Sequence, residues 1–260
     1  MIPTVVQFSN SVSFRYRRVH LLLMIKKTET MNILITAAEQ EELDCAIKAY
    51  DELKEELAGK AKIDFTLTGI GSTQACHTVT REIYRGMLRN EPYSLVVNIG
   101  IAGSYDMEAF PMGSAAIVEK EYFGDLGFDT NDGFKDLFQY GILKDDGFPY
   151  KGGALVRIPS QHKELEALLA KYGKGTGITV QTVTGNSSIV ERLRNKYAPH
   201  VESMEGAAVY FACIHENTPC FGLRTVSNAV GERNMEKWNI PAALDTLYRC
   251  CHEIFASLAK

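Results

Sequence analysis

The chain has 260 residues, 45% of them hydrophobic and 23% charged, which is the mixture of an ordinary globular protein and excludes disordered, collagen-like and low-complexity classes. A formal net charge of −4 leaves no broad basic surface to neutralise a nucleic acid, so none is expected as a partner. The length suits a single α/β domain with a large core, and no stretch reaches the roughly 20 consecutive apolar residues of a membrane span.

Residues 1–30 stand apart in charge, with Arg15, Arg17, Arg18, Lys26 and Lys27 against a single acid, Glu29. Leu21, Leu22 and Leu23 follow the basic start as in a signal sequence, but Lys26 and Lys27 cut the apolar run short and no A-x-A site follows, so export is not expected. The segment reads as an extension, and the folded domain as residues 31–260. A strand over 33–37 is followed by a helix over 39–57, in which Leu43, Ile47, Tyr50, Leu53 and Leu57 recur every three or four residues. A strand over 63–68 enters the turn Gly69-Ile70-Gly71-Ser72, and a helix from residue 73 to about 90 begins with Ser72 as its N-cap. A short apolar strand over 94–99 then ends in Gly100-Ile101-Ala102-Gly103, read as a tight glycine turn where a ligand approaches the backbone.

Residues 113–122 predict another strand, whereas 123–152, rich in Gly, Asp and aromatics, has no sustained period and reads as a long loop or lid. Beyond it come a strand over 154–158, a helix over 162–172, a strand over 178–184, a helix over 187–197, a strand over 200–204, a helix over 206–215, a strand over 220–226 and a closing helix over 242–259. This alternation predicts a three-layer α/β/α sandwich around a mixed, mostly parallel central sheet.

The six cysteines, Cys45, Cys76, Cys213, Cys220, Cys250 and Cys251, form no C-x-x-C pair, and the six histidines have no H-x-x-x-H spacing. Neither a metal site nor a disulfide framework is expected, and the thiols suit a reducing cytoplasm. No full G-x-G-x-x-G, Walker or G-x-S-x-G pattern occurs, so neither a nucleotide cofactor nor an esterase nucleophile is indicated, and no cofactor is expected.

Five motifs occur in register from Met31 to the C-terminus. They are Ile35-Thr-Ala-Ala-Glu-Gln-Glu41-Glu42, Gly69-Ile-Gly71, Asn98-Ile-Gly100-Ile-Ala-Gly103, Ser203-Met204-Glu205-Gly-Ala-Ala and Arg224-Thr-Val-Ser227-Asn228. Together they resemble the nucleoside phosphorylase and nucleosidase superfamily. The tail of the last motif, with Gly231-Glu-Arg233 and then Trp238, is most similar to the futalosine hydrolase branch, with the methylthioadenosine/S-adenosylhomocysteine nucleosidases as a near relative that usually carries Ser-Asp where this chain has Ser227-Asn228. The resemblance implies a nucleoside phosphorylase-like fold, a purine nucleoside as ligand, no cofactor and a homodimer or higher homo-oligomer.

Cleaving a ribose N-glycosidic bond builds positive charge on the sugar and negative charge on the departing base. By resemblance, Glu205 holds the ribose hydroxyls, Met204 packs on the sugar, and Glu42 orients and deprotonates water, with Glu41 the one-residue-off alternative. The same resemblance puts Ser227, Arg224, Ile189 and Gly103 among the substrate-binding residues. At Asn228 an amide NH₂ suits a 6-oxopurine, whose N7 and O6 are both acceptors, so hypoxanthine is the expected leaving group. Three acids at the first turn, Glu39, Glu41 and Glu42, repel a phosphate dianion and favour water. The competing readings are an adenosine-type nucleosidase, a phosphorylase and a nucleoside-binding protein without catalysis.

Overall fold

The computed structural model describes residues 30–260, so nearly all of the basic extension expected over residues 1–30 lies outside the described residues. In chain order the elements are β1 (Met31–Ala37), α1 (Gln40–Leu57), β2 (Ala61–Leu67), α2 (Ser72–Leu88), β3 (Leu95–Ser104), β4 (Ala115–Phe123), β5 (Gly127–Thr130), β6 (Gly133–Asp136) and β7 (Leu155–Val156). They continue with α3 (Lys163–Leu169), β8 (Gly173–Thr179), α4 (Ser187–Tyr197), β9 (Val201–Ser203), α5 (Gly206–His215), β10 (Cys220–Ala229), a 3-10 turn over Met235–Lys237 and α6 (Ile240–Leu258).

The helices cover both faces of one mixed sheet. On one side α1 and α6 pack together, with α3 beside α6, over Ile33, Ile35, Val97, Ile99 and Phe221. On the other side α2 and α5 pack over Leu34, Val96, Ala102, Val118 and Val226. Burial on both faces is why β1 and β3 read as near-continuous apolar runs. The chain of α5, Gly206–His215, is apolar nearly all round and is accordingly buried, whereas α1 hides only the stripe through Leu43, Ala46, Ala49, Leu53 and Leu57.

The sheet runs β10-β4-β8-β9-β3-β1-β2, and β10 also pairs with β3. Strands β3, β10, β4, β8 and β9 therefore close into a ring from which β1 and β2 extend as a parallel wing. Within the ring β3–β10, β4–β8 and β8–β9 are parallel, while β4–β10 and β3–β9 are antiparallel. The three-layer arrangement expected from the alternation holds, with ring closure as the added feature.

The two largest departures from the expected boundaries are in β3 and β8. The run 94–99 does not stop at Gly100, because β3 continues to Ser104 with β10 on one side and β9 on the other. The strand expected over 178–184 lies five residues earlier, as Gly173–Thr179, because glycine-rich residues fit the tight ring while the segment after it is drawn to side chains. Gln181 N–H donates to Asp125 Oδ2 at 2.6 Å and Thr184 N–H to Glu202 Oε1 at 2.9 Å. Inside the segment 123–152, β5 and β6 form a small separate hairpin.

Glu121, on β4, is a fully buried acid wedged between the ring and the start of α5. Thr179 Oγ1 donates to its Oε2 at 3.1 Å and itself accepts the Ala207 N–H at 2.7 Å, which ties the first turn of α5 to the ring. A Cβ at Gly206 would overlap the carboxylate, so the helix must start with glycine there. Burial pushes the Glu121 pKa from an ordinary 4.5 up to about 7, against the pull of the Arg224 charge. An acid held protonated in the fold costs nothing below its unfolded pKa and costs progressively more as pH rises to its folded pKa. The free energy of unfolding of the wild type, relative to Glu121→Gln, is therefore expected to fall by about 3 kcal/mol between pH 4.5 and pH 7.5 in urea titrations. A pH-independent difference would show that burial leaves the Glu121 pKa at its unfolded value.

Candidate active site

The carboxyl ends of β1, β3 and β10 meet the start of α5 at the mouth of the ring and enclose a cavity of about 290 Å³. This is where open α/β sheets bind ligands, outside the strand carboxyl ends where the winding reverses. Ala38 and Glu39 contribute from the end of β1, Ile101, Ala102 and Gly103 from β3, and Ser227 and Asn228 from β10. Glu202, Ser203, Met204 and Glu205 come from β9 and the turn into α5, and Val183, Thr184, Val230, Trp238 and Ile70 from the surrounding loops. Among these lining residues there is no Lys or Arg.

Glu205 occupies the N-cap position of α5 but does not cap the helix with its side chain. Its Oε1 accepts the Gly71 N–H at 2.8 Å and its Oε2 the Met204 N–H at 3.2 Å, joining parts of the chain 134 residues apart. Gly71 has φ +91°, a left-handed conformation that favours glycine, and this turns its N–H toward the carboxylate. Gly71, not Ser72, is therefore the N-cap of α2. Ser72 is its first helical residue, and its hydroxyl donates to the Met204 carbonyl at 3.2 Å and accepts from Gln181.

Of the two acids that the sequence leaves open, Glu42 is buried and Glu41 is exposed. The Glu42 carboxylate lies behind the cavity wall made by Ala38, Glu39 and Ile101. Oε2 accepts the N–H groups of Ala38 and Glu39, each at 3.2 Å, and Oε1 accepts the Ile101 N–H at 2.9 Å. Burial raises its pKa above the ordinary carboxylate value, opposed by these amide donors and by the Arg224 charge. The acid reaches this place because residue 100 has no side chain, since a Cβ there would lie 2.9 Å from Glu42 Oε1.

Asn228 reaches the cavity through a bulge. The β10–β3 register shifts between Val226 and Asn228, so Ser227 is the extra residue and Asn228 lies opposite Gly103. Ser227 Oγ donates to Asn228 Oδ1 at 2.8 Å, which orients the amide, and Asn228 Nδ2 donates to the Ala229 carbonyl at 2.9 Å. One N–H of that NH₂ is thus spent within the protein, and the other is left for a ligand, where the sequence suggests two. Gly103 leaves room for this amide, whose Nδ2 would be 3.3 Å from a Cβ at that position.

Besides Glu42, two expected site residues lie off the cavity wall. Arg224 is fully buried beneath it, where its guanidinium donates to the Asn98 carbonyl at 2.8 Å and to the Asn98 side-chain oxygen, and its charge acts on Glu42 and Glu121. Its side chain is absorbed by β3 because the two strands run parallel and adjacent. Ile189 is exposed in the first turn of α4 and does not line the cavity, because α4 starts beyond the Val183–Thr184 segment. Tyr122 and Phe123 are likewise absent from the wall, Tyr122 packing on Tyr197 at a ring distance of 5.0 Å.

Glu202 and Thr184 line the cavity without having been singled out, and so does Trp238, which the sequence marks only as part of the motif tail. Glu202 sits one residue from a motif, and alternation along β9 gave no cue because that strand has only three residues. Trp238 closes one wall while its Nε1 donates to the Glu232 carbonyl at 3.1 Å and Arg233 stacks 5.5 Å from its ring. Among the described residues no group of three or more His, Cys, Asp or Glu side chains is arranged to hold a metal ion.

The phosphorylase superfamily profile matches residues 57–256. Two curated relatives named futalosine hydrolase are similar along most of their length. That of Streptomyces coelicolor is 29% identical over 84% of this chain and 92% of its own, and that of Acidothermus cellulolyticus 31% identical over 82% and 86%. Among solved structures, a methylthioadenosine/S-adenosylhomocysteine nucleosidase of Colwellia psychrerythraea in complex with adenine superposes with TM-score 0.64 at 21% identity, covering 88% of this chain and 96% of its own. A native futalosine hydrolase of Helicobacter pylori superposes with TM-score 0.63 at 18% identity, covering 88% and 97%. The chain belongs to the phosphorylase superfamily and, within it, to the futalosine hydrolase family.

The approach of Glu42 to β3 gives a direct check on the site. Gly100→Ala is expected to displace the Glu42 carboxylate and lower turnover about 10²-fold, at a stability cost of about 1–3 kcal/mol. Unchanged turnover in steady-state assays, with the variant folded, would remove Glu42 from the working site.

Proposed function

We propose that the protein hydrolyses the N-glycosidic bond of futalosine, releasing hypoxanthine and dehypoxanthinyl futalosine, a step of menaquinone biosynthesis. The observation that carries this reading is that Glu205, Met204 and Asn228 converge on one cavity with Glu42 behind its wall, in a chain whose curated relatives are futalosine hydrolases.

Each residue takes the role that its surroundings allow. Two amide donors fix Glu205, and its remaining lone pairs accept the ribose hydroxyls and favour the positive charge that develops on the sugar. Met204 packs on the sugar. As the bond from C1′ to the base breaks, its electron pair goes to the purine, and the free N–H of Asn228 stabilises that charge at N7 or O6. Glu42 takes a proton from water as the water oxygen bonds to C1′; the departing base takes a proton from solvent, and Glu42 returns its own to solvent to complete the turnover. Burial raises the Glu42 pKa, which makes its carboxylate a stronger base toward that proton.

Water is favoured over phosphate because the cavity wall carries Glu39, Glu202 and Glu205 and no cation, while Arg224 is engaged by Asn98. We assign the enzyme to the cytoplasm, where its six free thiols stay reduced, and to a homo-oligomer. Ile70 and Val183 line the cavity yet are 50% and 38% exposed, an apolar rim that a second subunit would cover.

Incubating the protein with futalosine, methylthioadenosine and inosine, each with and without phosphate, is expected to give phosphate-independent hypoxanthine release from futalosine. Adenine release from methylthioadenosine, or a requirement for phosphate, would overturn the assignment. Glu205→Gln and Glu42→Gln are each expected to lower kcat by about 10²–10⁴-fold. Because activity needs ionised Glu42, kcat/KM should decline as pH falls through a value above the ordinary carboxylate range, and this acid limb should be absent from the residual activity of Glu42→Gln. Light scattering should show a species larger than one chain.

A further inference from the structure

Three adjacent strands of the ring place Glu202, Gly103 and Asn228 in one row. Gly103 pairs with Glu202 across the antiparallel β3–β9 ladder and with Asn228 across the parallel β3–β10 ladder. With strands about 4.8 Å apart, the two outer residues stand about 10 Å apart at Cα, and in-register side chains leave the same face of a sheet. Both line the cavity, and between them lies a residue with no side chain. A flat bicyclic base laid over Gly103 thus has a carboxylate at one edge and an amide N–H at the other.

The protein holds the Glu202 carboxylate firmly while leaving lone pairs open. Tyr105 donates its hydroxyl to Oε2 at 2.8 Å, and the Thr184 N–H donates to Oε1 at 2.9 Å. Burial, and next the neighbouring Glu202 charge, push the Tyr105 pKa above its ordinary value, so the phenol remains the donor. Two of the four or so lone-pair positions on the carboxylate are used by these donors. What Glu202 offers a ligand is acceptors only, and it withdraws the Thr184 N–H, a backbone donor on the same wall, from the ligand.

We infer that Glu202 is a specificity-determining residue that accepts the N1–H of a 6-oxopurine, opposite the Asn228 N–H that donates to the N7 and O6 side of the same base. The inference rests on the futalosine reading and deepens it. A 6-oxopurine carries a donor at N1 and acceptors at O6 and N7, matching an acceptor facing a donor across Gly103. A 6-aminopurine carries a lone pair at N1, which meets the carboxylate with no proton between them. Leaving buried polar groups unpaired is the strongest means a site has of rejecting an analogue.

The test is calorimetric binding of hypoxanthine and adenine to the full chain, together with turnover of futalosine and its 6-amino counterpart. The wild type is expected to bind hypoxanthine at least about 10-fold tighter than adenine. In Glu202→Gln, whose amide can still accept from Thr184 but presents a donor to N1, that ratio should fall by about 10-fold or more. Glu202→Asp, which withdraws the carboxylate by one methylene, is the second variant and should also lower the ratio. If Glu202 only braced Tyr105 and the Thr184 segment, both bases would weaken together and the ratio would stay fixed, which overturns the inference. Equal binding of the two bases by the wild type overturns it as well. Loss of futalosine turnover in the wild type with base discrimination intact would sink the hydrolase reading alone.

Discussion

Pairing of β3 with both β9 and β10 is the constraint on which the site depends, because it closes five strands into a ring and sets the carboxyl ends of β3 and β10 beside the turn into α5. A sheet that stayed open would leave Glu202 and Asn228 at distant edges. Closure instead puts them on either side of Gly103, and the bulge at Ser227 brings Asn228 onto that row. The ring also explains the irregular stretch after β8: that segment must leave the ring wall at once, and Asp125 and Glu202 capture its backbone as it does so.

A second constraint is buried charge. Glu42, Glu121 and Glu205 all lie under or on the cavity wall, with the Arg224 charge acting on Glu42 and Glu121. Burying carboxylates is costly unless they are paired or hydrogen-bonded, and each acid meets the cost differently. Glu205 accepts two amide N–H groups, Glu42 accepts three, and Glu121 is satisfied by Thr179 and by a pKa high enough to retain a proton. The acids are thereby divided into one that faces the cavity, one positioned just behind it, and one that anchors the start of α5. Backbone amides at chain turns do most of this, so the local geometry of the turns at Gly71 and at Ala38–Glu39 is inseparable from the orientation of the carboxylates.

Much of the fold was legible because its signals are local. The helix period of α1 and the buried apolar runs of β1 and β3 follow from side-chain spacing, and the alternation of elements implied the mixed, mostly parallel sheet. Where the reading shifted, tertiary pairing outweighed local chemistry. Gly100 and Gly103 look like turn residues, yet they lie inside β3 because Glu42 and Asn228 need the space that a side chain would take. Ser72 has the chemistry of a cap, but Gly71 takes that position so that its N–H can face Glu205.

By itself the sequence determined the α/β class and the five motifs that mark the family, and it named Glu205, Met204, Ser227, Asn228 and Gly103, which all line one cavity. The tertiary structure alone decided that Glu42 is the buried acid and Glu41 the exposed one, that Arg224 lies under the wall and Ile189 outside it, and that Glu202 and Trp238 belong to it. The reason is that a motif records which residues occur together along the chain, whereas a cavity is built from strands brought together by hydrogen bonds between residues more than a hundred positions apart. Glu205 meets Gly71 and Asn228 meets Gly103 only once the ring has closed.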